Sequence, residues 1–256
     1  MSEDVDVGAV METFKPKSHE EVIEESLQNI SRLVGQHCGP RRIALLAPIL
    51  DTLSEFRKTP ASSSVAYHGA FDGGLISHIE DVIAIALGAS ISINVGKVHL
   101  YDNERREKLF YDKQSNIKQG IITVAVLHDL NKIMDCSGKP LYVDNILKDG
   151  KRSEKKPYAR NEEYDPLANL VDAGDAIESI VLRYGGVQYS SGAVSLAVAE
   201  RISPGILNDL SAVERQAIVH HAGLYEKCSK EGYIGNESFL SIVIHYADMV
   251  ASRYFS

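Results

Sequence analysis

Apolar side chains recur at helical spacing in several long segments of this chain, and this pattern most limits the folds open to it. A period of three to four residues is typical of helices that bury one face against a core. The pattern predicts an all-α protein, with one domain of roughly eight helices over residues 19–256 after a flexible arm at 1–18. The segments span 18–36, 41–58, 75–93, 120–134, 166–185, 190–203, 210–223 and 236–255.

The first segment carries the clearest signal for a helix start. Ser18 can accept a hydrogen bond from the first turn, and Glu21 follows three residues later, as in a capping box. Ile23, Leu27 and Ile30 then repeat at helical spacing. We therefore expect a helix to begin directly after Ser18.

The segment GIITVAVLHDLNKIM, residues 120–134, can be interpreted in two ways. Its β-branched residues also suit a buried strand. Because its neighbours along the chain have helical periodicity, we expect a buried helix.

Residues 135–165 change in character and form the most basic stretch of the chain. Gly, Pro and charged residues interrupt any periodicity here, which predicts a loop insertion that includes a short hairpin. Such a basic run is either a solvated loop or a clamp for an anionic substrate. Its cations are Lys148, Lys151, Arg152, Lys155, Lys156 and Arg160.

The overall charge bears on the class of partner. The 256 residues carry a formal net charge of −8, which disfavours binding along an extended nucleic acid but allows a small anion in a locally positive pocket. The chain has three cysteines without a CxxC pair and no apolar run long enough to cross a membrane. We therefore expect a cytoplasmic protein without a membrane partner.

Histidines and aspartates within apolar segments are the candidates for chemistry. Imidazole and carboxylate groups together suit divalent metals. No HExxH motif is present, so a metal site would have to assemble from distant helices. A buried histidine that only satisfies hydrogen bonds in the core is the structural alternative. Five of the nine histidines lie in or beside apolar segments: His78, His128, His220, His221 and His245.

Four stretches contain most of these histidines and the nearby aspartates: ASSSVAYHGAFDGGLISHIEDV at 61–82, LHDLNK at 127–132, VERQAIVHHAGLYE at 213–226 and IVIHYADMVAS at 242–252. In this order they resemble the motifs of HD-domain metal-dependent phosphohydrolases. They are most similar to those of HD-domain 3′–5′ exoribonucleases and of HD-type relaxase domains. The resemblance implies an HD-type domain over 19–256, built as a helical bundle.

The same resemblance implies a metal site and its ligands. The matching positions are His78, His128, Asp129 and Asp248, with His220 and His221 available for a second ion. One or two divalent ions would bind there, with Mn, Zn, Co, Fe, Ni and Mg all possible. Such ions activate water and neutralise charge on phosphoryl oxygens. As a ligand of such an ion, Asp129 would be a catalytic residue.

Several further residues are candidates for contacts with substrate. Lys132 follows His128 by four positions, so on a continuous helix both would share a face. Its ammonium could hold a phosphate, which would make Lys132 a catalytic as well as a substrate-binding residue. His68 either contacts substrate or caps the next helix. Arg152, Lys155 and Arg160 would bind substrate if the basic insertion is a clamp.

Two other residues near the motifs have open roles. Asp81 either orients His78 by accepting a hydrogen bond or is a solvated helix residue. His245, three residues before Asp248, is expected to have a structural or supporting role.

Two positions depart from the family pattern and bear on the substrate. Tyr67 stands where the family has the first histidine of a pair, and Asn131 stands where it has a glycine.

The expected reaction is hydrolysis of a phosphate ester or anhydride in a small nucleotide, either a nucleoside mono- or triphosphate. The alternatives are a 3′–5′ exonuclease acting on single-stranded nucleic acid and a binding module with an inactive HD fold.

Overall fold

A computed structural model of the chain describes residues 17–92, 100–102, 107–109, 114–166, 191–222 and 238–254. Within these ranges the chain is mostly helical, as the periodicity predicted. The arm predicted at 1–18 lies outside this part of the chain except for Lys17 and Ser18, and the helix predicted at 166–185 lies outside it except for residue 166. The described helices are α1 His19–His37, α2 Pro40–Glu55, α3 Gly74–Ser92, α4 Gln114–Leu127, α5 Ser191–Ile202, α6 Ile206–Asp209, α7 Ala212–Val219 and α8 Phe239–Tyr254.

Two short antiparallel hairpins accompany these helices. β1 (Leu100–Asp102) pairs with β2 (Glu107–Leu109), a hairpin that the sequence did not predict. β3 (Tyr142–Asp144) pairs with β4 (Tyr158–Arg160) in the basic insertion, which confirms the hairpin expected there. None of the helices in the described ranges is both long and apolar enough to span a bilayer.

The start of α1 confirms the capping prediction. The Ser18 side chain accepts a hydrogen bond from the backbone N–H of Glu21, and the Glu21 carboxylate accepts one from the backbone N–H of Ser18. Together these bonds satisfy two amide groups that a helix start leaves without partners. The apolar face then buries Ile23 and Ile30 in the core.

The centre of the core is α4, which packs against α1, α3, α7 and α8. Residues 121–127 are the last part of this α-helix and are fully buried, which settles the choice between strand and helix in favour of a buried helix. The prediction of one helix over 120–134 is wrong at its end, however. The α-helix stops at Leu127, and a turn at His128 and Asp129 leads into a 3-10 helix, Leu130–Lys132.

The loop before α3 is held in a tight fold by close backbone approach. Gly69 has a φ of +62°, and a Cβ added at Gly74 would lie 2.0 Å from the Gly69 carbonyl oxygen. The N–H of Ala61 donates to that same carbonyl oxygen at 2.8 Å. Glycine at positions 69 and 74 therefore lets the loop that carries His68 fold against the start of α3.

Buried Arg42 on α2 joins three other elements. Its guanidinium donates to the Asp209 carboxylate at 2.6 Å, to the Glu214 carboxylate at 2.8 Å and to the Thr123 hydroxyl at 2.9 Å. These partners lie on α6, α7 and α4. Neighbouring Arg41 also pairs with Asp209, at 2.9 Å, but its side chain is 76% exposed.

The difference in burial predicts unequal effects of two neighbouring substitutions. Arg42→Ala should lower the free energy of unfolding by about 3–5 kcal/mol, because it leaves the Glu214 carboxylate buried without its cation. Arg41→Ala should cost under about 1 kcal/mol, because water screens an exposed pair. Urea unfolding of both variants measures this difference, and equal losses would contradict the structural role given to Arg42.

Candidate metal centre

Four side chains from three parts of the chain meet at one buried point. His78 comes from α3, His128 and Asp129 from the turn after α4, and Asp248 from α8. Each offers one nitrogen or oxygen atom, and these four atoms lie within 4.8 Å of one another. The structure thus brings together the four residues that the sequence indicated as ligands of one metal ion.

The spacing of the four atoms suits ligands of a common cation. His78 Nε2 lies 3.0 Å from Asp248 Oδ1 and 3.6 Å from Asp129 Oδ2. His128 Nε2 lies 3.3 Å from His78 Nε2, 3.3 Å from Asp129 Oδ2 and 3.9 Å from Asp248 Oδ1. Two ligands about 2.0–2.2 Å from one ion at a tetrahedral angle lie roughly 3.3–3.6 Å apart. A divalent ion therefore fits the residues present.

The hydrogen bond on the far side of the His128 ring fixes its tautomer. Nδ1 lies 2.7 Å from the Ala125 carbonyl oxygen, which can only accept, so Nδ1 carries the proton. In the neutral ring Nε2 then presents a lone pair to the Asp129 carboxylate oxygen. Two electron-rich atoms facing each other repel unless a cation lies between them. A metal-ligating histidine is commonly oriented in this way, by a carbonyl behind the ring.

His221 has the same arrangement on the opposite side of Asp129. Its Nδ1 lies 2.8 Å from the Ile218 carbonyl oxygen, and its Nε2 lies 3.6 Å from Asp129 Oδ1. The His245 ring contacts the backbone carbonyl oxygen of His221 at 2.8 Å, so His245 helps to position that segment. Asp129 thus presents one oxygen to His78 and His128 and the other to His221.

His220 occupies a different position from its neighbour. It is buried at the C-terminal end of α7, where its backbone N–H donates to the Gln216 carbonyl oxygen. Of the histidine pair, the described contacts place His221 beside Asp129, which makes His221 the better candidate for a second ion.

Charges around the centre favour the protonation states that metal binding requires. Burial lowers the pKa of His78, which keeps its ring neutral near pH 7 despite the opposing effect of Asp248. Burial by itself would raise the pKa of Asp129, but the ammonium group of Lys132 outweighs it and holds that pKa well below its ordinary value. The pKa of Asp248 is likewise lowered, against the effect of burial, by its hydrogen bond with His78.

Lys132 supplies a positive charge at the edge of the centre. Its Nζ lies 2.5 Å from Asp129 Oδ2, and its side chain is 16% exposed. Because the α-helix ends before His128, the expectation of a shared helix face is wrong; the 3-10 turn brings Lys132 onto the carboxylate instead. Two ionised carboxylates, Asp129 and Asp248, face this one ammonium group among the described residues of the cluster, which leaves a negative charge that a divalent cation would balance.

His68 packs against the ring of His78 at the centre. Its ring centroid is 4.5 Å from that of His78, and its Nε2 is 3.5 Å from the Ser252 hydroxyl. Burial, with a smaller effect from His78, lowers the pKa of His68 to about 3. The structure therefore places a neutral imidazole beside the ring of His78, next to the cluster.

The three arginine and lysine candidates of the insertion have different surroundings. Arg152 pairs with Asp72 at 3.0 Å and Asp144 at 2.9 Å, and its guanidinium lies 4.2 Å from the centre of the Tyr158 ring. Arg152 thus joins the β3–β4 hairpin to the loop before α3. The side chains of Lys155 and Arg160 are exposed on the same hairpin.

Asn131 ties the 3-10 turn to α5 and Asp135 joins the two ends of the insertion, roles that sequence reasoning missed. Asn131 exchanges two hydrogen bonds with the Ser195 hydroxyl, of 3.1 and 3.0 Å. The Asp135 carboxylate accepts from the backbone N–H groups of Ser137 and Asp165, at 2.7 and 2.9 Å, near the two ends of the insertion. The sequence offered one sign of this role at position 131: the HD-type motif that the stretch resembles has a glycine there, whereas Asn131 can make such hydrogen bonds.

A cavity of about 380 Å³ opens beside Lys132. The β3–β4 hairpin forms one wall, with Tyr142 and Tyr158, and the end of α2 forms another, with Phe56. No motif in the sequence indicated it, because its walls are separated by about 85 residues and meet only in the fold.

Comparison of the chain with protein-family models, with curated proteins and with solved structures gave no match.

Asp81 does not contact His78 as a supporting acceptor would. Nδ1 of His78 is buried and has no hydrogen-bond partner among the described residues. Burial, with Glu80 beside it, raises the pKa of Asp81 to about 6. Asp81 is therefore a half-buried carboxylate on α3 whose charge opposes folding at neutral pH.

This raised pKa predicts that Asp81→Asn stabilises the protein in a pH-dependent way. Above pH 6 the folded state holds an ionised Asp81 that the unfolded state tolerates better, so removing the charge should raise Tm at pH 8. In the unfolded chain the pKa of Asp81 is about 3.9, so between pH 6 and pH 3.9 the folded state binds a proton more tightly than the unfolded state does. The gain in Tm from Asp81→Asn should therefore shrink as the pH falls through this range. Thermal unfolding at pH 8 and pH 4.5 measures both effects.

Asp51→Asn, on the exposed face of α2, is the matched control and should leave Tm almost unchanged at both pH values. A lower Tm for Asp81→Asn at pH 8, or a weaker affinity of that variant for metal, would contradict the position given to Asp81.

Proposed function

We propose that this protein is a metal-dependent phosphohydrolase of the HD type that cleaves a phosphate ester or anhydride bond of a small nucleotide. The observation that carries the proposal is the convergence of His78, His128, Asp129 and Asp248 on one buried point. These are the residues that the motif resemblance indicates as ligands. In the fold they come from positions as far apart as 78 and 248, so their meeting is independent of the spacing within any one motif.

The residues of the chain divide into those that hold a metal and those that face a substrate. His78, His128, Asp129 and Asp248 would hold one divalent ion, and His221 with Asp129 Oδ1 could hold a second. A bound divalent ion supplies Lewis acidity, which activates water and neutralises charge on phosphoryl oxygens. Lys132 stands at the edge of this centre, where its ammonium can bind a phosphate oxygen as charge develops.

The identity of the substrate is proposed from charge and size. A net charge of −8 disfavours a long polyanion, and the cavity beside Lys132 holds about 380 Å³. A cavity of this size is at the lower end of the range for small-molecule sites, roughly 300–1,000 Å³. A mononucleotide fits these limits better than the extended single strand of an exonuclease.

The first prediction concerns the ligands themselves. His128→Ala and Asp129→Ala should each abolish bound metal and phosphate release, because each removes a donor that the remaining three cannot replace. Metal analysis of the purified protein and a phosphate-release screen over nucleoside mono- and triphosphates measure the two effects. His37→Ala, at the end of α1 and away from the centre, is the control and should retain both.

Near wild-type activity in either ligand variant would refute the proposed site. Release of mononucleotides from a labelled oligonucleotide, without turnover of free nucleotides, would favour the exonuclease instead. A wild-type protein that carries no transition metal and gains no thermal stability from Mn²⁺ or Co²⁺ would favour the inactive binding module.

The second prediction separates phosphate binding from metal binding. Lys132→Met keeps most of the side-chain volume but removes the charge, so it should retain metal and lower kcat by about a hundredfold, the usual cost of losing one electrostatic contact to the transition state. Lys148→Met, on the exposed hairpin tip, should leave both unchanged. Loss of metal from Lys132→Met would contradict the role given to Lys132.

A further inference from the structure

The cavity beside Lys132 adjoins the centre, and the proposed chemistry gives the residues of its walls no role. Lys132 belongs to both, since it contacts Asp129 at 2.5 Å and also lines the cavity. A phosphate held by Lys132 at the metal centre would therefore have the cavity directly beside it. Whatever group is attached to that phosphate has this space to enter.

The walls of the cavity suit a flat aromatic group. Phe56, Tyr142 and Tyr158 all line it. The Tyr158 hydroxyl donates to Asp72 at 2.5 Å and its ring faces Arg152, so these contacts fix its position. Burial raises the pKa of the Tyr142 hydroxyl, and the Lys132 ammonium partly opposes this effect, so the two side chains lie close together. Aromatic side chains stack on nucleobases with little dependence on base identity.

The charges of the cavity limit how a nucleotide can enter. Its lining contains three carboxylates, Glu55, Asp72 and Asp144, against the two lysines Lys58 and Lys132. A channel for a nucleic acid backbone is instead strongly cationic along its length. The carboxylates can accept hydrogen bonds from sugar hydroxyl or base amino groups, but they do not favour a chain of phosphates. The arrangement suits one phosphate at Lys132 and one uncharged nucleoside beyond it.

We infer that this cavity is the nucleoside pocket of the centre and that Tyr142, supplied by the basic insertion, is the residue that determines preference for nucleotides over other phosphates. The inference rests on the proposed function for the position of the phosphate. It extends that function by giving the insertion a specific role: the hairpin forms the wall on which the base stacks. Arg152 contributes by bracing the hairpin against Asp72, away from the phosphate.

Binding measured without turnover tests this pocket. Nucleoside 5′-phosphonates, in which a P–C bond replaces the cleavable ester, and inorganic phosphate are titrated into the full chain as purified, with its bound metal, and followed by calorimetry. The wild type should bind at least one of the nucleotides about tenfold more tightly than inorganic phosphate, because only the nucleotide stacks. Tyr142→Ala should remove that advantage and leave phosphate binding within about twofold, whereas Tyr142→Phe should retain it.

Two further variants guard against a loss caused by misfolding. Val143→Trp, at a partly exposed position that lines the cavity, should also weaken nucleotide binding by filling the space. Tyr246→Ala is the matched control, since Tyr246 is exposed on α8 and lies about 200° around the helix from Asp248. It should bind nucleotides as the wild type does.

Equal affinity of the wild type for nucleotides and for phosphate, or an unchanged advantage in Tyr142→Ala, would overturn the pocket. A loss in Tyr142→Phe as large as in Tyr142→Ala would overturn the stacking role of the ring. These outcomes are separate from failure of the hydrolase. If nucleotide binding depends on the Tyr142 ring but no nucleotide releases phosphate, the proposed activity is wrong and the pocket stands. If phosphate is released but nucleotide binding does not depend on that ring, the activity stands and the pocket is wrong.

Discussion

The buried carboxylate of Asp129 is the constraint on which the rest of the centre depends. An ionised carboxylate away from water is costly unless cations and hydrogen bonds compensate it. Lys132 supplies one cation at 2.5 Å. In their neutral forms the rings of His128 and His221 present lone pairs to its two oxygens, because carbonyl groups take the protons on their far sides. A divalent cation between these atoms would make all of these contacts favourable at once.

The helices around Asp129 follow from local sequence, and these could be predicted. The capping box at Ser18 fixes the start of α1, and apolar periodicity fixes the face that it buries. The end of α4 could not be predicted, because a helical continuation through residues 128–134 has no Gly or Pro to oppose it. What the sequence does not show is the tertiary setting in which the helix ends at Leu127 and the turn places His128 and Asp129 beside His78 and Asp248.

The candidate ligands could be proposed from motifs, whereas their surroundings could not. Arg152 contacts Asp72, which is 80 residues earlier in the chain, and Asp144, which lies across the β3–β4 hairpin. No local pattern encodes such contacts. For the same reason the position of Asp81, close to His78 in sequence, gave no guide to the hydrogen bonds of the His78 ring.

We propose that a divalent metal binds among His78, His128, Asp129 and Asp248, and diffraction tests this claim most directly. Crystals grown with Mn²⁺ should show an anomalous difference peak within about 2.0–2.3 Å of the Nε2 atoms of both histidines and of one oxygen from each aspartate. A second peak between Asp129 Oδ1 and His221 would extend the site to two ions. A fully ordered cluster without a peak at saturating Mn²⁺, Co²⁺ and Zn²⁺ would contradict the claim.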